Sequence, residues 1–316
     1  MKLLKLVPDN TNIDFMRWRN LALVLSIIVT IASLVLVGVK GLNLGVDFVG
    51  GQMIRTTFAR QINIEQLRSD VGALNLGDAS IQETGGPRSY QIRLPKPEGG
   101  EAAANQAASR VRAMLVQKFP GSRVDSVETV SGKVSEELAW DGSLAIALAM
   151  LGIAIYIWFR FEWQFGVGAL VTLFHDVSMT LGFFSLTQFQ VDLNVVAAIL
   201  TIVGYSLNDT VVIYDRIREN LRKYRKMAIV PLLNLSLNET LSRTMVTSLS
   251  ILLALGMLIL FGPDVIFGLT IAIFVGIFVG TYSSIYISSP VLVWLGVNPG
   301  SFLRTGEDEA PGVAGV

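Results

Sequence analysis

Four ionisable side chains interrupt segments that are otherwise apolar: His175, Asp176, Asp209 and Arg243. Placing such a group inside a bilayer costs about 2.5–3.5 kcal/mol on insertion scales, which makes each a candidate for an ion pathway or a proton relay. Asp209 lies five residues before Tyr214, where the fourth apolar segment is expected to end, so it sits roughly 8 Å inside that boundary. Arg243 opens the next uncharged run on the same side, which gives the two comparable depth and lets them pair. Burial favours the neutral form of a carboxyl group and a nearby guanidinium favours the charged form. A change in their separation would therefore switch Asp209 between proton-bound and proton-free states. Arginine stays charged throughout and can act only as a movable positive charge. The plainer alternative has Arg243 snorkelling to the headgroups, with Asp209 as its buried structural partner. His175 and Asp176 fall near the middle of the third segment. An adjacent imidazole and carboxylate there either handle protons or hold helices together by hydrogen bonds.

Other chemistry is poorly supplied. One histidine and no cysteine among 316 residues leave no disulfide, no thiolate nucleophile and little for a metal site. There is no Gly-x-Ser-x-Gly elbow for an intramembrane serine hydrolase, and Gly204-Tyr205-Ser206 is too short to serve as one. No Walker A sequence is present, so an ion gradient is the expected energy source. The 25 basic and 25 acidic residues cancel, and no global field favours nucleic acid. The expectation is a non-enzymatic protein with no cofactor and no metal.

The elements that must position these residues are membrane helices. Apolar residues make up 52% of the chain and charged residues 16%, below the roughly 25% usual in soluble domains. Uncharged runs between Arg19 and Lys40, Asp141 and Arg160, and Arg243 and Asp264 each suffice to cross a hydrocarbon core about 30 Å thick. Trp163–Leu186 and Val191–Tyr214 add two spans. The run from Val265 to Leu303 counts as one more, ended by Pro290 ahead of an interfacial tail. The first run exceeds a signal-peptide core and lacks a small-x-small cleavage site, so it reads as a retained anchor. Arg160, the cluster Arg216, Arg218, Arg222, Lys223, Arg225 and Lys226, and Arg304 gather after the even-numbered spans. Asp192 and Asp264 read as boundary charges at the opposite ends. The positive-inside rule then places both termini in the cytoplasm and the large insertion outside. The expected layout is a cytoplasmic N-terminus over 1–19, a first transmembrane helix over 20–39, a periplasmic domain over 40–137, helices two to six over 138–303, and a cytoplasmic tail over 304–316.

The insertion, roughly Gly50 to Glu137, reads as a βαββαβ domain of the ferredoxin-like α+β class. Strands are expected over Gln52–Phe58, Ala79–Glu83, Arg88–Leu94 and Arg123–Ser131, with a hairpin at Gly85-Gly86-Pro87. Asn63 and Gln66 form a capping-box pattern before a helix whose apolar face is Ile64, Leu67, Val71 and Leu74, and a second helix covers Glu101–Phe119. Such a fold hosts many functions, and a docking or interaction role is the expectation.

Several motifs resemble one family. Gly45-Val46-Asp47-Phe48-Val49-Gly50-Gly51, just outside the first span, resembles the Gly-Leu-Asp-Phe-x-Gly-Gly signature of the SecD/SecF protein-export proteins, with Val46 where leucine is usual. Gly204-Tyr205-Ser206-Leu207-Asn208-Asp209, continuing through Asp215 and Arg216 to Asn220, is similar to the fourth-span signature of the SecF branch. Phe159–Trp163, His175-Asp176 and Leu241–Thr244 follow the same pattern in order and spacing. The resemblance implies half of a resistance-nodulation-division type membrane domain in the bacterial inner membrane. It implies SecD as partner, with SecYEG, YajC and unfolded exported proteins as further contacts and protons as the driving ion. By motif match, Asp209 and Arg243 take the positions of the family's proton-path aspartate and arginine. Two other readings stand beside it: a half-size proton-driven exporter of lipids or small molecules, and a structural scaffold for the translocon. The outer domain looks too small to enclose a sizeable substrate cavity, which favours an interaction role.

Overall fold

The computed structural model describes residues 11–84, 86–96 and 99–298. The tail with Arg304, the start of the N-terminal segment and Gly85 of the hairpin lie outside the described residues.

Among the described residues six helical segments are long and apolar enough to cross a membrane: Phe15–Lys40, Gly132–Arg160, Trp163–Thr187, Leu193–Lys223, Ile229–Phe261 and Asp264–Trp294. The first contains α1 (Arg19–Lys40), preceded by a single 3₁₀ turn, Phe15–Trp18. After a four-residue helix, α2 (Val46–Val49), the chain enters the outer domain: β1 (Gly51–Thr57), α3 (Ile64–Gly72), β2 (Ser80–Glu83), β3 (Ser89–Leu94), α4 (Gly100–Lys118) and β4 (Arg123–Val130). The β-α-β-β-α-β order is as read from the sequence, and strand limits differ by a residue or so.

The four strands lie in the order β2-β3-β1-β4, every neighbouring pair antiparallel. One face of this sheet carries Ile54, Tyr90, Ile92 and Leu94, packed with Leu67, Val111 and Leu115 from α3 and α4 into a closed core. Alternation along β3 drives this burial, because residues two apart share a face. Asn63 caps α3 by accepting from the Glu65 N–H at 2.9 Å. The expected reciprocal capping box with Gln66 is replaced by this shorter Asx-type bond.

Four span limits differ from the charge-bounded runs. The second span, α5 (Gly132–Arg160), starts right after β4, with Ser131 accepting from the Val134 N–H. It therefore begins nine residues before Asp141, with no linker between domain and membrane helix. The third, α6 (Trp163–Thr187), agrees with expectation. The fourth, α7 (Leu193–Lys223), runs nine residues beyond Tyr214, so Arg216, Arg218, Arg222 and Lys223 stand on the helix rather than in a loop. The fifth, α8 (Ile229–Phe261), starts well before Arg243, with Pro231 tolerated in its first turn. Helices of about 30 residues span about 45 Å at 1.5 Å per residue. They outreach the hydrocarbon, and charged residues can ride on their ends.

The last span is broken. Its main part, α9 (Phe267–Tyr286), stops at Tyr286, and Pro290 lies inside a short helix, α10 (Ser288–Trp294). A proline ring collides with the carbonyl four residues back and has no N–H to bond it, and here that carbonyl belongs to Tyr286. The break thus precedes the proline. Residues Ser288–Leu292 are buried in the bundle instead of forming the expected interfacial tail.

The core of the bundle is built around α6, α7 and α9, while α5 and α8 leave most of their apolar surface uncovered. Phe161, Phe165, Tyr214, Ile217, Leu237 and Leu292 make the main cluster at one end. That same end holds the N-terminal segment, where Asn234 and Asn238 of α8 bond the Met16 and Ile13 backbone at 3.0 and 2.9 Å. Arg160 pairs there with Asp215 at 2.9 Å, and Arg218 with Glu162 at 2.9 Å. The outer domain occupies the opposite end.

Candidate functional site

Two clusters of buried polar groups adjoin neighbouring turns of α7, at Ser206 and at Asp209. The first is centred on Asp176 of α6, which is 1% exposed. Its Oδ1 lies 2.9 Å from Nδ1 of His175, and its Oδ2 accepts from the Ser206 hydroxyl of α7 at 2.5 Å and the Ser283 hydroxyl of α9 at 2.9 Å. Both carboxylate oxygens are satisfied, and the acid ties three helices together. The His175 ring is also near the ring of Tyr282, whose hydroxyl bonds Ser26 of α1 at 3.0 Å.

The second cluster is less complete. Asp209 is 5% exposed and lies near the middle of α7, about 24 Å from its outer end at 1.5 Å per residue. Its Oδ2 is buried and has no hydrogen-bond partner. Beside it stands Ser248 of α8, and the charge of Arg243 acts on it from the same helix. Ser248 is itself fixed by Tyr205 at 3.3 Å and Thr281 at 2.9 Å. Asp209 and Arg243 each lie about 21 Å from the inner end of their helix, so the expected equal depth is present. They are deeper than the charge-bounded runs indicated, because both helices project past those runs. The expected pairing is not formed: among the described residues Arg243 makes no ion pair, and its side chain is exposed on the outside of α8.

Around this pair the chain presents polar and small residues to the exterior. Asn194, Ala197, Thr201, Gly204 and Asn208 form an exposed stripe along α7. A side chain at Gly204 would meet nothing within 4 Å. Packing within this chain therefore does not explain that glycine. Small residues on a membrane helix permit close approach by another helix, and exposed Asn208 and Arg243 are poorly solvated by lipid.

The remaining signature residues are structural. Asp215 holds Arg160, while Arg216 bridges Glu219 at 2.6 Å and Glu239 at 2.7 Å. Asn220 adds bonds to Ser236 and Glu239, which clamps the inner ends of α7 and α8. At the outer end, Asp47 Oδ2 accepts from the Leu193 N–H at 2.9 Å and Asp192 Oδ1 from the Val195 N–H at 3.1 Å. Two carboxylates thus meet the amides of the first turn of α7, where the helix dipole favours negative charge. Burial pushes the Asp192 carboxyl above its ordinary range, the Val195 and Asn194 bonds oppose this, and the Asp47 charge adds to it. Asp192 is a helix cap rather than a mere boundary charge. Phe48 packs against the apolar cluster that includes Phe184 and Val195. Gly50 and Gly51 take positive φ, +72° and +112°, and a side chain at Gly51 would run into the Leu94 carbonyl.

A crevice of about 360 Å³ opens between the polar face of the sheet, at Arg55 and Asp125, and the Gly262–Val265 turn. It lies between the outer domain and the bundle, not inside the domain.

Ser248, Thr281 and Ser283 escaped the sequence reading. The only signal for them was the recurrence of small hydroxyl residues within apolar runs.

The sequence model for the SecD/SecF GG motif matches residues 35–62, and that described as protein export membrane protein SecD/SecF, C-terminal, matches residues 110–298. The protein translocase subunit SecF of Rhodobacter capsulatus is 43% identical over 307 residues, covering 93% of this chain and 92% of that protein. The chain belongs to the SecD/SecF family of protein-export membrane proteins. The SecF subunit of Cereibacter sphaeroides is 44% identical over 303 residues, covering 94% of both chains. The crystal structure of SecDF from Thermus thermophilus, a translocon-associated membrane protein, superposes with a TM-score of 0.83 at 33% identity over 91% of this chain. The chain spans 39% of the length of that SecDF chain. Family membership and the six spans make it a multi-pass membrane protein of protein export, a transport component rather than an enzyme.

Proposed function

We propose that this chain is the SecF-like half of a Sec accessory complex, which draws on the proton gradient together with a SecD-like chain to promote translocation through SecYEG. Asp209 takes up and releases the proton, and Arg243 is the movable positive charge whose distance sets how readily it does so. The observation that carries this reading is the buried oxygen of Asp209 at mid-helix that makes no hydrogen bond, with the charge of Arg243 acting on it from the neighbouring helix. A carboxylate that served only to hold helices together would have its oxygens satisfied, as Asp176 does. His175 and Asp176, the other candidates for this path, fit the helix-holding alternative better, since both Asp176 oxygens are bonded. The exposed α7 stripe is where the SecD-like chain packs, completing the surroundings of Asp209 and Arg243. With the basic ends of α5 and α7 on the cytoplasmic side of a bacterial inner membrane, the small domain faces the periplasm and meets emerging, unfolded polypeptide.

The test compares protein export into inverted membrane vesicles with and without a proton gradient, for wild type and Asp209→Asn. The asparagine keeps size and hydrogen bonding but cannot ionise. It is expected to assemble normally and lose the gradient-dependent increment. Undiminished stimulation in an assembled Asp209→Asn complex would favour the scaffold reading.

A further inference from the structure

The Gly45–Gly51 motif lies far from Asp209 along the bundle, yet its contacts lead to the helix that carries Asp209. Gly45 N–H donates to the Val191 carbonyl at 2.7 Å, and Val191 N–H donates to the Asn43 carbonyl at 2.8 Å, making a two-stranded splice just ahead of α7. A side chain at Gly45 would displace the Gln190 side-chain amide, 2.6 Å away, and press on the Val191 carbonyl at 3.1 Å, so the splice is close-packed here. Asp47 then reaches past the splice to the Leu193 N–H, the first amide of α7. From the other direction the outer domain grips the same segment. Arg93 of β3 donates to the Leu44 carbonyl at 2.5 Å, and Asn43 donates to Gln82 of β2 at 3.0 Å. Gly50 and Gly51 lead directly into β1, the strand paired on both sides within the sheet.

We propose that α2 and its flanking glycines form a rigid coupling between α7 and the outer domain, and that Asp47 is the positioning residue that fastens it. This rests on the reading of Asp209 as the site of proton exchange. Any axial or tilting motion of α7 that accompanies a change at Asp209 reaches its first turn, because a continuous helix transmits displacement along its axis. There Asp47 and the Val191 splice pass it to a segment held by β2 and β3, and to β1 through the chain itself. The link is built of main-chain hydrogen bonds, the Asp47 carboxylate, the Arg93 guanidinium and the Asn43–Gln82 pair, with no flexible linker between the membrane helix and the sheet.

The experiment uses the assembled complex with a cysteine-free partner, since this chain contains no cysteine. Spin labels at Arg88→Cys in the outer domain and Leu260→Cys near the outer end of α8 report their distance distribution by pulsed electron resonance. Each variant is also assayed for gradient-stimulated export. With Asp47 intact, Asp209→Asn is expected to shift the distribution. In the Asp47→Ala background that shift should vanish and export should fall to the gradient-independent level. Asp47→Asn, which retains an oxygen acceptor for the Leu193 N–H, should restore part of both. Leu193→Pro removes the donor instead of the acceptor, at a first-turn position where proline fits, and should reproduce the Asp47→Ala result. It also serves if Asp47→Ala does not assemble. A full Asp209-dependent shift surviving in both Asp47→Ala and Leu193→Pro would overturn the coupling while leaving the proton reading intact. Absence of any shift with Asp47 in place, while Asp209→Asn still loses gradient-stimulated export, would overturn the coupling alone; undiminished stimulation in Asp209→Asn would overturn the proton reading, and the coupling with it.

Discussion

Asp176 and Asp209 are two buried carboxylates on adjacent helices, and their surroundings assign them different tasks. Asp176 receives three bonds and joins α6, α7 and α9. Interhelical bonds in membranes contribute about 0.6–2 kcal/mol each, and donors left unpartnered by a deletion add to the loss. Ser283 already has a second acceptor in the Gly280 carbonyl at 3.1 Å, which softens the effect. Asp176→Leu is therefore expected to lower unfolding stability by about 1–3 kcal/mol in detergent, read as a depressed melting temperature, with Asp176→Asn closer to wild type. Equal melting of Asp176→Leu and wild type would contradict a clamping role. The acids were legible in the sequence because a charge stands out in an apolar run. Their hydroxyl partners were not: serine and threonine bond their own helix backbone, so they interrupt a hydrophobic segment without marking it.

At the scale of elements, two glycines of the family signatures differ in why they are needed. Gly51 has positive φ and abuts the Leu94 carbonyl, so Gly51→Ala strains the entry to β1 within this chain. Gly204 has open space around it. Gly204→Leu should leave the melting temperature of the isolated subunit unchanged and reduce co-purification of the SecD-like partner, whereas Gly51→Ala should destabilise the subunit itself. A destabilised subunit in Gly204→Leu would place the glycine's role inside this chain. The spans were legible as elements and their limits were not. Charge marks where a helix leaves lipid, whereas backbone hydrogen bonding marks where it ends, and α7 and α8 continue well past that exit. Pro290 misled for a related reason, since proline acts on the carbonyl four residues before it.

For the whole molecule, the six spans leave α5, α8 and the polar stripe of α7 uncovered, and the chain corresponds to 39% of the solved SecDF chain. The outward-turned Asn208 and Arg243 fit the proposal that a second chain packs on this face. The motifs lead to the same proposal. The sequence did not convey that Asp209 and Arg243 stand apart within the single chain, because that depends on how α7 and α8 pack. The central claim is that Asp209 exchanges protons in the assembled complex. Infrared difference spectroscopy of the complex in lipid, stepped between acid and alkaline buffer, reads this through the C=O stretch of a protonated carboxyl group. The account predicts a band that appears and disappears reversibly in wild type and is absent from an equally assembled Asp209→Asn complex. Identical difference spectra for the two complexes would contradict it.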